Sequence, residues 1–173
     1  MKLPKEIDQY LWNTGHQYGE WLIPSQTVDG VDRTNANHID TAAYCAPIFG
    51  WNSCKIIADT AALLGHKADE QYYRGIASKM KTAIQKGLIA EDGKMPFDMM
   101  GGYVLAIAFD LVPESRKKSM AGHLIRKIEE NGGCLDTGFL ATPYLLDAIC
   151  KTGRSIRPIN FCSRPSARHG SMR

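Results

Sequence analysis

The amino-acid sequence predicts an all-α fold built of αα-hairpins, and three observations carry that expectation. Apolar residues recur at three- and four-residue steps from about residue 36 to 151. Segments that are apolar nearly all round alternate with amphipathic ones, as an inner and an outer layer of packed helices require. Short turns containing Gly, Pro or Asp-Gly separate the segments, and the strand signal is weak throughout.

Taken in order, "HIDTAAYCAPIFGWNSCKIIADTAALLG" is an alanine-rich helical stretch that ends at Gly65, a natural residue to stop a helix. Pro47 is expected to kink it or split it in two, because proline lacks the N–H a helix interior needs. The next helix shows one apolar stripe: Tyr73, Ile76, Ala77, Met80, Ile84 and Leu88. Asp69 is its expected N-cap, and Glu70 with Arg74 forms an i,i+4 pair on the wet face. "AEDGK" reads as a turn. "GGYVLAIAFDLV" suits a helix buried on most sides. Pro113 at the first helical position opens an amphipathic helix with the stripe Met120, Leu124, Ile125 and Ile128, stopped by Gly132-Gly133. Residues 137–153 read as a last apolar helix with Pro143 in its first turn.

Composition narrows the function classes. A chain of 173 residues suits one domain or part of a larger one, and one this size hides about 70% of its unfolded surface. A net charge of +3 is too small to point to nucleic acid or an anionic membrane. Its distribution is uneven: residues 151–173 hold six bases and no acid, whereas the first 150 hold 15 bases against 18 acids. The five cysteines form no CxxC and complete no zinc spacing, so reduced thiols are expected and no metal. No apolar run reaches the ~18 residues of a membrane span, and no signal segment opens the chain, which as written reads as cytoplasmic.

Five strings then reach a family. "YGEWLIP", "TAAYCAPIFGWNSCKIIADTAALLG", "YYRGIASKMKTAI", "GGYVLAIAFDLVP" and "CLDTGFLATPYLLDAI" follow one another with natural spacing. Together they resemble the second half of the catalytic domain of bacterial α-L-rhamnosidases, glycoside hydrolase family 78, over roughly residues 8–153. The resemblance implies a partial (α/α)6 toroid, no cofactor, and an inverting hydrolysis of rhamnosides by two carboxylates. Those carboxylates stand about 6.5–9.5 Å apart so that a water fits between base and sugar. It also implies that the acid and base motifs lie outside these residues, so that the chain alone is inactive.

Within the match, Trp21 corresponds to an aromatic platform of the rhamnose pocket, with Glu20 beside it. The family often has Asp at the Glu20 position, which leaves two roles open: a ligand for sugar hydroxyls, or a supporting carboxylate. His16 is the third candidate for substrate binding, against a structural histidine. Residues 137–142 are expected near the inner rim. A rhamnose-containing glycan is thus the implied partner, and half a ring of helices is expected to self-associate through its exposed faces.

Residues 154–173 break the pattern with Arg, Ser and Pro and no helical period, so this basic tail is expected to be disordered or the product of a shifted reading frame. With permitted codons, another frame over this stretch recovers a "PSW" string that the family predicts there. Other residues have plainer readings. Trp51 and Tyr44 are expected to pack, Asp40 and Asp136 to cap helices, Glu129-Glu130 to face water, and Gly101-Gly102 to allow close packing. Two alternatives remain: a non-catalytic helical carbohydrate-binding or scaffold module, and another (α/α)6 glycosidase acting on glucuronyl or trehalose-type substrates.

Overall fold

The computed structural model describes residues 5–12, 14–28, 31–32 and 40–153. The predicted tail at 154–173 lies outside them. Among the described residues six α-helices follow one another: α1 (Lys5–Asp8), α2 (Ala42–Leu64), α3 (Lys67–Gly87), α4 (Met100–Ala108), α5 (Lys117–Glu130) and α6 (Leu145–Lys151). The described strand structure is a two-residue antiparallel ladder, β1 (Thr27–Val28) with β2 (Val31–Asp32). The fold is otherwise helical, as the periodicity predicts.

Helices α2 and α3 form a long hairpin. Gly65, at φ +78°, turns the chain after α2, and the His66 N–H closes back on the Ala61 carbonyl at 2.9 Å. On the wet side Lys55, Asp59, Arg74 and Glu70 form a chain of ion pairs at 2.7–3.2 Å, which extends the predicted Glu70–Arg74 pair across both helices. One expectation is narrowed and one corrected. Pro47 lies inside α2, five residues after its start, without splitting it. Asp69 does not cap α3; the helix begins at Lys67, which puts Asp69 and Glu70 in the first turn beside the positive end of the dipole.

Every residue of α4 is buried, from Met100 to Ala108. It packs on α5 and α6 and touches α2, so it forms the centre of the core. The α5 stripe Met120, Leu124, Ile125 and Ile128 is buried as predicted. Pro113 instead precedes a 3-10 turn (Glu114–Arg116), and Arg116 caps α3 by donating to the carbonyls of Gln85 and Ile89 at 3.1 and 2.6 Å. Pro143 lies in a 3-10 turn, Thr142–Tyr144, and α6 is shorter than its apolar run because residues 137–141 leave the helix to meet the N-terminal segment.

One face of α2 has no helix against it among the described residues. Ile56, Ile57, Leu63 and Leu64 follow one another at helical spacing, and Leu63 and Leu64 are 88% and 68% exposed. The opposite face, with Tyr44, Ile48, Trp51 and Ala58, is buried. No described helix is long and apolar enough to cross a membrane. Cys45, Cys54 and Cys150 are free cysteines.

Candidate functional site

An irregular segment, residues 14–23, with left-handed backbones at Gly15 and Leu22, crosses the N-terminal end of α4. Its order comes from close backbone approach. The Glu20 N–H donates to Thr41 Oγ1 at 2.8 Å, and a Cβ on Gly19 would lie 1.9 Å from that same oxygen. Trp21 accepts the Phe139 N–H on its carbonyl at 3.2 Å, and Ser25 donates its N–H to Asp136 Oδ1 at 2.7 Å. Asp136 thereby ties residues 134–141 to the segment and is not the helix cap predicted for it.

Glu20 is 1% exposed. Its Oε1 accepts the Ala141 N–H at 2.8 Å and its Oε2 accepts the Tyr44 hydroxyl at 3.0 Å, with the Gly138 backbone adding a further donor. Burial nevertheless outweighs these donors and pushes the carboxyl above its ordinary value, with nearby Asp136 adding to the rise. Tyr44 is raised too, first by burial and then by the Glu20 charge. Gly101 and Gly138 wall the carboxyl in: a Cβ on Gly101 would meet Oε2 at 1.9 Å, and one on Gly138 would meet Glu20 Cβ at 2.8 Å. Of the Gly101-Gly102 pair, Gly101 is thus the close-packing position.

The neighbours of Glu20 point the other way. Trp21 is 49% exposed, Tyr18 and His16 are exposed, and the three rings meet edge to face: His16–Tyr18 at 5.0 Å and Tyr18–Trp21 at 6.2 Å. A buried carboxylate therefore anchors an exposed aromatic strip. Of the three predicted site residues, Trp21 and His16 lie on the surface together, while both oxygens of Glu20 are engaged inside the protein. Tyr44, expected only to pack, is a direct partner of Glu20; Trp51 packs against Phe109.

Beyond Ser25 a cavity of about 280 Å³ opens, lined among others by Phe97, Asp98, Lys127, Asn131 and Asp136. Phe97 and Asp98 both have left-handed backbones, φ +62° and +49°. Asp98 is held there by the Tyr103 hydroxyl and by Lys127 Nζ at 2.9 Å, and the balance of these partners over burial keeps its carboxyl below the usual range. A larger cavity, about 410 Å³, lies at the other end of α4 between Asp110, Lys117, Lys118 and Lys151. There Lys151 already pairs with Asp110 at 2.7 Å and Lys117 with Glu114 at 2.7 Å, so two of its three cations are spent internally. No cluster of His, Cys, Asp or Glu among the described residues could hold a metal.

Comparison with known proteins places this geometry. The α-L-rhamnosidase of Streptomyces avermitilis is 33% identical over 138 residues, and those of Formosa agariphila and an Alteromonas species are each 31% identical. Each match covers 80% of the chain but only 12–15% of the relative, so the chain spans about an eighth of their length. The crystal structure of the Streptomyces avermitilis enzyme complexed with L-rhamnose superposes with a TM-score of 0.69 over 83% of this chain and 13% of that one, at 30% identity. The Aspergillus terreus enzyme superposes over 80% of this chain and 16% of its own, at 25% identity and a TM-score of 0.67. Residues 2–158 match the bacterial alpha-L-rhamnosidase six-hairpin glycosidase domain, and the chain belongs to that family.

Proposed function

We propose that this chain supplies one wall of the sugar site of a rhamnoside hydrolase, with Trp21 as the platform on which the sugar stacks. The observation that carries the reading is the exposed His16–Tyr18–Trp21 strip mounted on a buried, fully bonded carboxylate. Pyranose C–H groups pack on an indole face, and an aromatic surface fixed from below loses little freedom when the sugar arrives. His16 borders the sugar at the open end of the strip. Glu20 holds the strip and does not touch the sugar, since its oxygens already have partners. The L-rhamnose bound by the Streptomyces avermitilis relative supports this ligand class.

Titrating the chain with L-rhamnose tests the reading. Trp21→Ala is expected to weaken binding about tenfold, equivalent to ~1.4 kcal/mol, while the melting temperature stays within a few degrees. Equal affinity in the variant would sink it. Glu20, with both oxygens committed, is no general acid or base, so the 173 residues by themselves are expected to bind without turnover. Release of nitrophenol from p-nitrophenyl α-L-rhamnoside, abolished by Glu20→Gln, would instead favour a different toroid glycosidase acting through Glu20.

A second copy of the chain covers the apolar α2 stripe. Two exposed apolar pairs, Ile56-Ile57 and Leu63-Leu64, two turns apart on one helix face can meet their copies about a two-fold axis, which is how most homodimers form. Light scattering at micromolar concentration should report a dimer, and Leu63→Asp should return it to monomer because the interface would bury an unpaired charge. A monomeric wild type refutes this part.

A further inference from the structure

We propose that Leu22 is a positioning residue for sugar binding: its left-handed backbone, and not its side chain, turns Trp21 outward and holds it there. The inference rests on the Trp21 reading and names what sets the platform. The pattern of burial is the first argument. Were residues 20–23 extended, Glu20 and Leu22 would share one side of the chain and Trp21 and Ile23 the other. Instead Glu20 and Ile23 are both buried, while Trp21 and Leu22 are 49% and 57% exposed. Of the four, Leu22 alone has a left-handed backbone, φ +59°. Ile23, at φ −65° and ψ 123°, is extended again. One residue thus lets two neighbours face water between two buried anchors.

Strain is the second. Leucine rarely enters the left-handed region, because its Cβ crowds the backbone there. Such strain persists only where the surroundings over-determine it, and it gathers at ligand sites. Here the surroundings act on both flanks. Before Leu22, Thr41 holds the Glu20 N–H, and Ala141 and Tyr44 hold its carboxylate. The Trp21 carbonyl accepts the Phe139 N–H, and a Cβ on Gly138 would lie only 2.6 Å from that same oxygen. After Leu22, the Ile23 carbonyl accepts the Gln26 N–H and the Thr27 hydroxyl, each at 2.9 Å. Ser25 is tied to Asp136 beyond that. With both flanks held, the reversal falls on Leu22.

The consequence for binding is the third. A ring already fixed in the bound direction loses little freedom when a ligand arrives. A flip of Leu22 to negative φ would turn the Trp21–Leu22 peptide against Ile23. Either the bond from Phe139 or the buried seat of Ile23 would then be lost, and Trp21 would no longer be held out from the surface. The left-handed residue is the catch that keeps the indole presented.

The test uses the full chain, L-rhamnose as the probe and affinities from calorimetry. Leu22→Asn changes the side chain entirely but tolerates the left-handed region, so rhamnose should bind within about twofold of wild type. Leu22→Ala removes the apolar bulk and keeps leucine's backbone preference, and should also stay within about twofold. Leu22→Ile has the same atoms as leucine but branches at Cβ, which makes φ +59° a severe outlier, so rhamnose should bind about fivefold more weakly. In a Trp21→Ala background Leu22→Ile should weaken binding no further, because its effect passes through the indole. A side-chain contact predicts the opposite order, so loss in Leu22→Asn and Leu22→Ala with Leu22→Ile unchanged overturns the proposal. Unchanged affinity in all three overturns it as well and leaves the Trp21 reading intact, provided that Trp21→Ala still weakens binding. An equal loss from Leu22→Ile with and without Trp21 would show a structural role only. A Leu22→Ile chain that does not fold makes the left-handed residue a requirement of the fold and also overturns the proposal, whereas Leu22→Asn and Leu22→Ala report on the side chain in either case. If Trp21→Ala binds rhamnose as wild type does, the Trp21 reading fails and the role of Leu22 falls with it.

Discussion

Gly101→Ala is expected to unfold the chain or expel Glu20 from its site, with a loss of at least about 3 kcal/mol. The added methyl would lie 1.9 Å from Glu20 Oε2 and 2.7 Å from its carboxyl carbon. Relief by movement of Glu20 is blocked on its far side, where the Gly138 backbone and the Ala141 N–H meet it. Relief by movement of α4 is no easier, since that helix is buried along its whole length. If Glu20 is expelled, Tyr44, Gly138 and Ala141 lose a shared acceptor in a place water does not reach, each at about 1–3 kcal/mol. Chemical denaturation measures the loss. Gly102→Ala is the control: its Cβ would sit 3.4 Å from Met95, an ordinary contact, so its cost should be far smaller. Equal costs at the two positions would remove the special place given to Gly101.

Much of this fold can be read from periodicity alone. The stripes of α3 and α5 and the all-apolar α4 reach the core where three- and four-residue spacing places them. The errors cluster where a local rule met a competing contact. Asp69 has cap chemistry, yet Gly65 already ends α2, and the short connection starts α3 at Lys67. Residues 137–141 have the composition of a helix, but Glu20 and the Trp21 carbonyl take their backbone N–H groups into a cross-chain network.

The site was less legible. Resemblance singled out Trp21 and Glu20, but composition could not say which way either side chain points. The structure puts Glu20 inside and Trp21 outside, in a segment with no helical or strand period from which the sequence could have announced it. The glycines carried the missing signal: Gly19 beside Glu20, with Gly101 and Gly138 far away in sequence, mark backbones that approach too closely for a Cβ. Nothing in the sequence marks the left-handed backbone at Phe97, a bulky residue that rarely adopts it, whereas Asp98 is of a type that tolerates it.

Glu20→Ala is the second large effect, with an expected loss of about 4 kcal/mol: three donors lose their acceptor and a cavity opens in packed surroundings. Glu20→Gln separates shape from charge. Its amide oxygen can still accept the Ala141 N–H, and its NH2 can donate to the Tyr44 hydroxyl oxygen, so its cost should be near 1 kcal/mol. The two variants should also differ from wild type in pH dependence. The folded-state carboxyl titrates above its ordinary value of 4.5, so the folded chain binds the proton more tightly than the unfolded chain. Stability from this group is therefore complete below the unfolded value and is lost as pH rises through the folded one. Wild type should lose stability over that window while Glu20→Gln stays level, so the gap between them narrows as pH rises above 4.5. Denaturation curves at several pH values follow the gap directly. A gap that widens with pH would mean that the three donors outweigh burial and that Glu20 works as a fixed charge beneath Trp21.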